Sequence, residues 1–460
     1  MFKTCLDDTI AAISTPIGQG GIGIVRLSGK DAINIAGKFF VSKDKKKPSQ
    51  FKTYTTHYGR IIEGDKVIDE VILTLMRSPK SYTKEDVVEI NCHGGLVALR
   101  KVLDLVISGG ARLADPGEFT KRAFLNGRID LAQAEAVIDV IRAKTDSALK
   151  ISQDQLQGRL SDEIKQIRRG LLDILTLLEV EIDFPEEQIV PGEKQKIAKQ
   201  LFVVRERITC LLAGSKSARI CKEGIHLVIC GKPNVGKSSL LNAVLKKERS
   251  IVTSVPGTTR DSIEEIIDIK GIPVRIVDTA GILKAKDLVG RKAVQRSKKQ
   301  IELADLVVVL FDGSRDLSKE DYALMGKLRS KRVIAVINKI DLRQKIDKEK
   351  IKKVFSCLVE LSAKKAKNIN LLEDAVASQV YKGAVSAPES VMVSSLRHIS
   401  ALNAAEKLIA EAGNSLDNRL SGEFIAQGIK DSLGYLDSIL GKDFPEDLLN
   451  KIFSRFCIGK

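Results

Sequence analysis

The residues of this chain best suited to chemistry on a ligand lie in GKPNVGKS, positions 231–238. A glycine at each end of a short loop, followed by Lys-Ser, lets backbone N–H groups curl around phosphate oxygens. Lys237 brings a point charge to the β- and γ-phosphates, and the Ser238 hydroxyl is a ligand for Mg²⁺. HLVIC before the loop reads as a strand and SSLLNAVL after it as a helix, whose positive dipole end faces the same phosphates. Three more pieces follow in order. RIVDTAG (275–281) is a strand ending in Asp278, which approaches Mg²⁺ directly or through water, and Gly281, whose N–H meets the γ-phosphate. VIAVINKID (333–341) is a buried strand ending in Asn338, Lys339 and Asp341. A carboxylate at Asp341 accepts both N–H groups of guanine, a pattern that adenine does not offer. VELSAKK (359–365) sets Ser362, Ala363 and Lys364 beside the base, and in SVPGTTRD (254–261) Thr259 completes the Mg²⁺ shell. NKxD alone is a weak signal. All the pieces in register point to GTP or GDP as the ligand.

This order of pieces identifies a member of the GTPase superfamily. Its hydrolytic machinery departs from the commonest form. Ile282 follows DTAG, where many GTPases carry a glutamine that orients water, and the phosphate loop holds no arginine. Two readings stay open. One is a slow switch that waits for an external activator. The other is a monovalent cation that supplies the missing charge, bound by the Asn234 amide oxygen and by carbonyls of the 253–258 loop.

The elements around the loop set its context. Residues 1–125 read as mixed α/β: DTIAAIS (8–14), GIGIVRLS (22–29), KVIDEVILTLM (66–76) and DVVEINC (86–92) as strands, LVALRKVLDLVISGG (96–110) as a helix closed by glycines. From 131 to 184 apolar residues recur at helical spacing for over fifty residues, and LFVVRERITCLLAG (201–214) continues the pattern. Helical periodicity returns at 395–413, 423–440 and 446–456. A helical region that stops near 215 and resumes near 385 implies an inserted domain. The expected division is therefore 1–125, a helical part at 126–220, a GTPase domain with a parallel sheet flanked by helices at 221–381, and a second helical part at 382–460.

Composition narrows the classes. The chain has 460 residues, 43% hydrophobic and 29% charged, which excludes a disordered or collagenous chain. Aromatics are only 4%, against a base-stacking platform. The longest apolar run, Leu306–Phe311, is far short of a membrane span, and the N-terminus has no signal-peptide core. Seven scattered cysteines fit reduced thiols and a cytoplasmic setting. Net charge is +16, of which residues 224–380 carry +12 (31 basic, 19 acidic).

The whole chain resembles the tRNA-modification GTPase family called MnmE or TrmE. DTIAAISTPIGQGGIGIVRLSG (8–29), PGEFTKRAFLNGRIDLAQAEAV (116–137) and the terminal FCIGK (456–460) carry the likeness beside the GTPase pieces. The resemblance implies a cytoplasmic homodimer that works with a flavoprotein, MnmG, in a heterotetramer. Together they add a carboxymethylaminomethyl-type group to the wobble uridine of certain tRNAs. It implies an N-terminal domain that dimerises and binds 5-formyl-tetrahydrofolate or a related one-carbon folate, contacted by Arg26, Glu89, Arg128 and Lys460. It implies GTPase domains that pair in a K⁺-dependent way, with K⁺ on Asn234, Thr253, Val255 and Thr258 and Mg²⁺ on Ser238 and Thr259. Nucleotide contacts fall on Asn234, Val235, Gly236, Lys237, Ser238, Ser239, Thr253, Thr258 and Thr259, on Asp278, Thr279, Ala280 and Gly281, and on the base-reading residues above. Catalytic roles fall on Lys237, Thr259 and Asp278.

Two positions depart from the family pattern. Gln19 stands where the family often has arginine. Gly290 stands where it usually places a water-orienting glutamate, so either Asp287 takes that role or hydrolysis is slow. Two other readings use the same core. A GTP-dependent RNA or ribosome-assembly factor would need an RNA-binding module, which the sequence does not display. A nucleotide-gated scaffold with negligible catalysis would fit Gly290.

Overall fold

The computed structural model describes residues 7–183, 191–247, 265–278, 300–381, 391–418, 421–443 and 445–460. The chain forms two compact units, Met1–Ile138 with Gln155–Lys165 and Leu433–Lys460, and Asp139–Asp154 with Gln166–Ser432.

The first unit is built on seven strands: β1 (Ile10–Ile13), β2 (Ile22–Ser28), β3 (Phe40–Ser42), β4 (Thr55–Glu63), β5 (Lys66–Met76), β6 (Val87–His93) and β7 (Arg112–Leu113). Their order is β3-β4-β5-β6-β2-β1-β7, antiparallel except where β1 meets β7. The period-two alternation in β5 and β6 buries Val71, Leu73 and Leu75 with Val88, Ile90 and Cys92 on one face. Helices α1 (Ala32–Phe39) and α2 (Leu96–Ser108) pack on that face and complete its core. The other face carries Arg26 of β2 in register with Glu89 of β6.

Helix α3 (Glu118–Leu125) places Arg122, fully buried, among three carboxylates. Its Nη2 lies 2.6 Å from Asp8 Oδ1 and 3.0 Å from Glu118 Oε1, and its Nη1 lies 3.2 Å from Glu85 Oε1. Burial alone would raise the Asp8 and Glu118 carboxyl pKa values. Hydrogen bonds from Arg112 and Arg122 more than reverse this and hold both below their ordinary values.

The long helical stretch of the sequence is not one helix. It divides into α4 (Leu131–Arg142), α5 (Asp146–Leu156) and α6 (Arg159–Asp183). The Thr145 Oγ1 accepts the Ala148 N–H at 3.2 Å and starts a new helix, and Gly158, at φ +91°, ends α5 in a conformation that favours glycine. Helical periodicity does not register such breaks, because apolar residues recur at three- and four-residue spacing within each helix on either side.

In the second unit, α7 (Pro191–Ala213) packs along the helix Leu396–Asp417, with an ion pair from Arg205 to Glu406 at 2.7 Å. Helix α8 (Ser215–Glu223) leads into a six-stranded sheet of β8 (Ile225–Gly231), β9 (Glu265–Ile269), β10 (Ile272–Asp278), β11 (Leu306–Asp312), β12 (Val333–Asn338) and β13 (Leu358–Glu360). The order is β13-β12-β11-β8-β10-β9, parallel except for β9. The unbroken apolar runs of β11 and β12 are what a parallel sheet covered on both faces requires. Val308 and Leu310 join Ile334 and Val336 in one core, while Val307, Val309 and Phe311 join Ala335 and Ile337 in the other. Chain order reverses beside β8, which lies between β11 and β10, and ligands of such sheets bind at the carboxyl ends of the strands there. Among the described residues no helix is long and apolar enough to cross a membrane.

Candidate functional site

Four segments meet at that edge of the sheet: the loop after β8, the ends of β11 and β12, and the turn after β13. The loop owes its shape to its glycines. Gly231 has φ +146°, and a Cβ there would meet the Leu310 carbonyl oxygen at 2.7 Å. Gly236 has φ +101°, and a Cβ would meet Asn338 Nδ2 at 2.2 Å. Asn234 takes φ +63° between them, a left-handed conformation that asparagine tolerates better than most residues.

Helix α9 (Lys237–Lys247) starts directly from this loop. The buried Lys237 donates through Nζ to the carbonyls of Gly231 at 3.0 Å and Lys232 at 2.8 Å, which aim its ammonium across the loop mouth. Ser238 and Ser239 are exposed in the first turn of α9, where the free N–H groups and the dipole favour anions. Val235 is buried and anchors the loop to the core. The Asn234 side-chain amide is exposed and makes no hydrogen bond among the described residues, while its carbonyl accepts from Lys339 Nζ at 2.9 Å.

Asn338 is nearly fully buried and joins three segments. Its Nδ2 donates to the Val235 carbonyl at 2.8 Å, and its Oδ1 accepts the N–H groups of Lys339 at 2.8 Å and Ala363 at 2.9 Å. Asp341 is exposed beside them. The Ser362 hydroxyl donates to Asp341 Oδ1 at 2.6 Å and holds this carboxyl below its usual range, so it stays ionised as an acceptor. Lys364 is exposed next to the buried Ala363.

Sequence reasoning missed Asp312. It lies at the end of β11, beside Asn338 of β12, and its Oδ2 is 2.6 Å from Lys339 Nζ. Its Oδ1 accepts the Ser314 N–H at 3.0 Å and the Ser314 hydroxyl at 2.7 Å. Burial pulls its pKa up, but Lys339 and Ser314 pull further and hold it below the ordinary value. The available signal was an acid closing a fully apolar strand next to NKxD. Also missed was Lys232, whose Nζ is 2.6 Å from Asp321 and pins the loop to the start of the helix Lys319–Leu328.

Several expected residues cannot be placed. Thr253, Val255, Thr258, Thr259, Thr279, Ala280, Gly281, Asp287 and Gly290 lie outside the described residues. Asp278 is fixed by its backbone only, as the last residue of β10, in register with Ile229 of β8.

The second cluster expected from sequence lies in the first unit. Arg26 Nη2 is 2.7 Å from Glu89 Oε1, and Arg26 Nη1 donates to the Gly459 carbonyl at 3.2 Å, one residue before Lys460. The Arg128 guanidinium lies 4.7 Å from the centre of the Tyr82 ring, and Arg26 is 6.0 Å from the same ring. Two of the four expected residues thus flank one aromatic ring, Glu89 is paired with one of them, and the main chain next to the fourth is hydrogen-bonded to Arg26. Cys457 is exposed beside them. His93 is paired with Asp69 at 2.6 Å, which raises its pKa by hydrogen bonding and suits a structural role on the surface.

Comparison with known proteins gives matches at both scales. A model described as "MnmE helical domain" matches residues 131–457, and one described as "GTP-binding protein TrmE N-terminus" matches residues 9–128. The tRNA modification GTPase MnmE of Clostridioides difficile is 47% identical over 457 residues, covering 99% of this chain and all of that protein. The protein of the same name from Bacillus subtilis is 43% identical over 458 residues, covering 98% of this chain and all of that one. Among solved structures, Aquifex aeolicus Era aligns with 40% of this chain and 66% of its own at 30% identity, with a TM-score of 0.29.

Proposed function

We propose, for a chain that belongs to the MnmE family of tRNA modification GTPases, that the loop Gly231–Ser238 holds the phosphates of GTP and that Asp341 reads its guanine. The chain is a GTP hydrolase whose activity serves tRNA modification. The observation that supports this assignment best is the convergence of Lys237, Asn338, Lys339 and Asp341 at one sheet edge, each held by named hydrogen bonds.

In the proposed mechanism the chain's residues orient and stabilise charge. Lys237 sets its ammonium against the β- and γ-phosphate oxygens, and the first-turn N–H groups of α9 bind the same anion. Lys339 lies against the base, and Asp341 accepts from the guanine edge. The exposed Ser238 hydroxyl and the end of β10 suit Mg²⁺, which when bound neutralises charge on the phosphates. The free amide of Asn234 offers a neutral oxygen of the kind K⁺ takes, and Thr253, Val255 and Thr258 would complete its shell. Thr259 would help to hold Mg²⁺, and either Asp287 orients the attacking water in place of the glutamate that Gly290 replaces or hydrolysis is slow.

The reading extends to the rest of the family's work. Arg26 and Glu89 of a domain spanning 1–125, with Arg128 just beyond it and Lys460 at the end of the chain, form the one-carbon folate site. Glu89 suits the amidine-like edge of a pterin, and the arginines suit the carboxylates of its tail. Helical parts at 126–220 and 382–460 flank the GTPase domain at 221–381. The chain acts in the cytoplasm as a homodimer with the flavoprotein MnmG on the wobble uridine of certain tRNAs.

The decisive experiment is GTP hydrolysis in K⁺ against Na⁺, with Asn234→Ala as control. Faster turnover in K⁺ that the variant loses supports the cation reading, and equal rates in both salts remove it. Calorimetry with GDP and Mg²⁺ tests the nucleotide assignment itself: no heat of binding ends it.

A further inference from the structure

At the end of the sheet opposite the nucleotide loop, the second unit holds a cavity of about 750 Å³. One wall is sheet: His226 is the second residue of β8, Arg275 is its register partner on β10, and Arg332 directly precedes β12. The facing wall comes from Lys216 and Arg219 of α8 and from Leu396 at the start of the helix Leu396–Asp417. Four cationic side chains therefore line the space against two carboxylates, and both carboxylates are already engaged. Glu223 Oε2 lies 2.8 Å from Arg219 Nε, and Asp305 Oδ2 accepts the His226 backbone N–H at 2.8 Å. Among the described residues, Lys216, Arg275 and Arg332 have no ion-pair partner.

Three uncompensated cations around one cavity repel one another, and an anion that lies between them removes that repulsion. Two of the three are arginines, whose guanidinium forks match phosphate oxygens in pairs. The volume falls in the range that holds nucleotide-sized groups, and Leu306 and Leu396 give it an apolar floor for a ribose face. The site is remote from the phosphate loop, which leaves GTP its own binding place. We propose that this cavity takes phosphodiester groups of the tRNA backbone, an assignment that rests on the tRNA-modifying function given above. It lies where the chain passes from α8 into β8 and where it leaves the sheet through the helix Ile369–Tyr381. A bound backbone would therefore hold the GTPase fold to its flanking helices.

The test is tRNA binding by the full chain, followed by fluorescence anisotropy over a range of salt concentrations. The variants are Arg332→Gln and the triple Lys216→Gln, Arg275→Gln, Arg332→Gln. Each lost phosphate contact should flatten the slope of log affinity against log salt by about 1, so the triple variant should lose about 2 to 3 and bind on the order of tenfold more weakly. Affinity for a fluorescent GDP, measured on the same samples, reports whether the fold is intact. A triple variant that binds GDP normally and keeps the wild-type slope overturns the proposal. If the triple variant loses GDP binding, Arg332→Gln decides alone: its residue is exposed just before β12, and an unchanged slope there is equally fatal. Failure of the wild-type chain to bind tRNA at any salt concentration would remove the tRNA function itself, and this assignment with it.

Discussion

Replacing Asp312 with alanine tests whether Lys339 is held for the base by a residue outside the nucleotide motifs. The Asp312–Lys339 contact is 2.6 Å long between side chains 10% and 30% exposed. A hydrogen bond between charged partners is worth about 1.5–3 kcal/mol, and partial exposure of the lysine trims this to about 1–2 kcal/mol. At 1.4 kcal/mol per tenfold, GDP should bind roughly five- to thirtyfold more weakly to Asp312→Ala. Asp312→Asn keeps an acceptor for the Ser314 N–H and removes only the charge, so its loss should be smaller. Ser314→Ala separates uncapping of the 312–314 turn from loss of the lysine's anchor. Calorimetry with GDP and Mg²⁺ measures all three, and thermal melting reports the fold. If Asp312→Ala binds within twofold of wild type while Lys339→Ala does not, the anchoring argument is wrong.

Other consequences are as direct. Gly236→Ala puts a Cβ at 2.2 Å from Asn338 Nδ2 in a left-handed backbone, so GDP binding should fall below calorimetric detection; measurable binding would show that the loop relaxes. Arg122→Met leaves Glu85 without its cation and Asp8 and Glu118 with Arg112 alone, and should cost about 3 kcal/mol in urea unfolding. Because Asp8 and Glu118 titrate lower in the folded chain than unfolded, the network stabilises at neutral pH and loses this effect as pH falls below their ordinary values of 3.8 and 4.5 and through the depressed ones. A melting temperature that is flat from pH 5 to pH 3 would contradict that cause.

The sheet edge proposed to hold the nucleotide was legible in sequence because its motifs are local in the chain. The loop 231–238 and the strand 333–338 each carry their motif and their fold signal within a few residues of each other. Strand β2 and helix α2 were legible for the same reason, as clean periodic runs. Strands β3 and β4 were not, since Phe40–Ser42 is short and Thr55–Glu63 mixes polar and apolar residues on both faces. Asp312 escaped because its role depends on the neighbour strand, and no spacing along the chain reveals which strands lie side by side. Arg122 escaped likewise: an arginine in FTKRAF reads as a surface residue, and only the sheet brings Asp8 and Glu85 to it.

One buried amide has a wider meaning. Asn338 bonds the main chain of the loop proposed to grip phosphate and the main chain of the turn proposed to frame the purine. On that assignment the two halves of the ligand would be linked through the protein as well as through the ribose. Guanosine and tripolyphosphate, offered as separate molecules, should each raise the other's affinity, by the same factor in both directions. Asn338→Ala should cut that linkage and leave two weak, independent events.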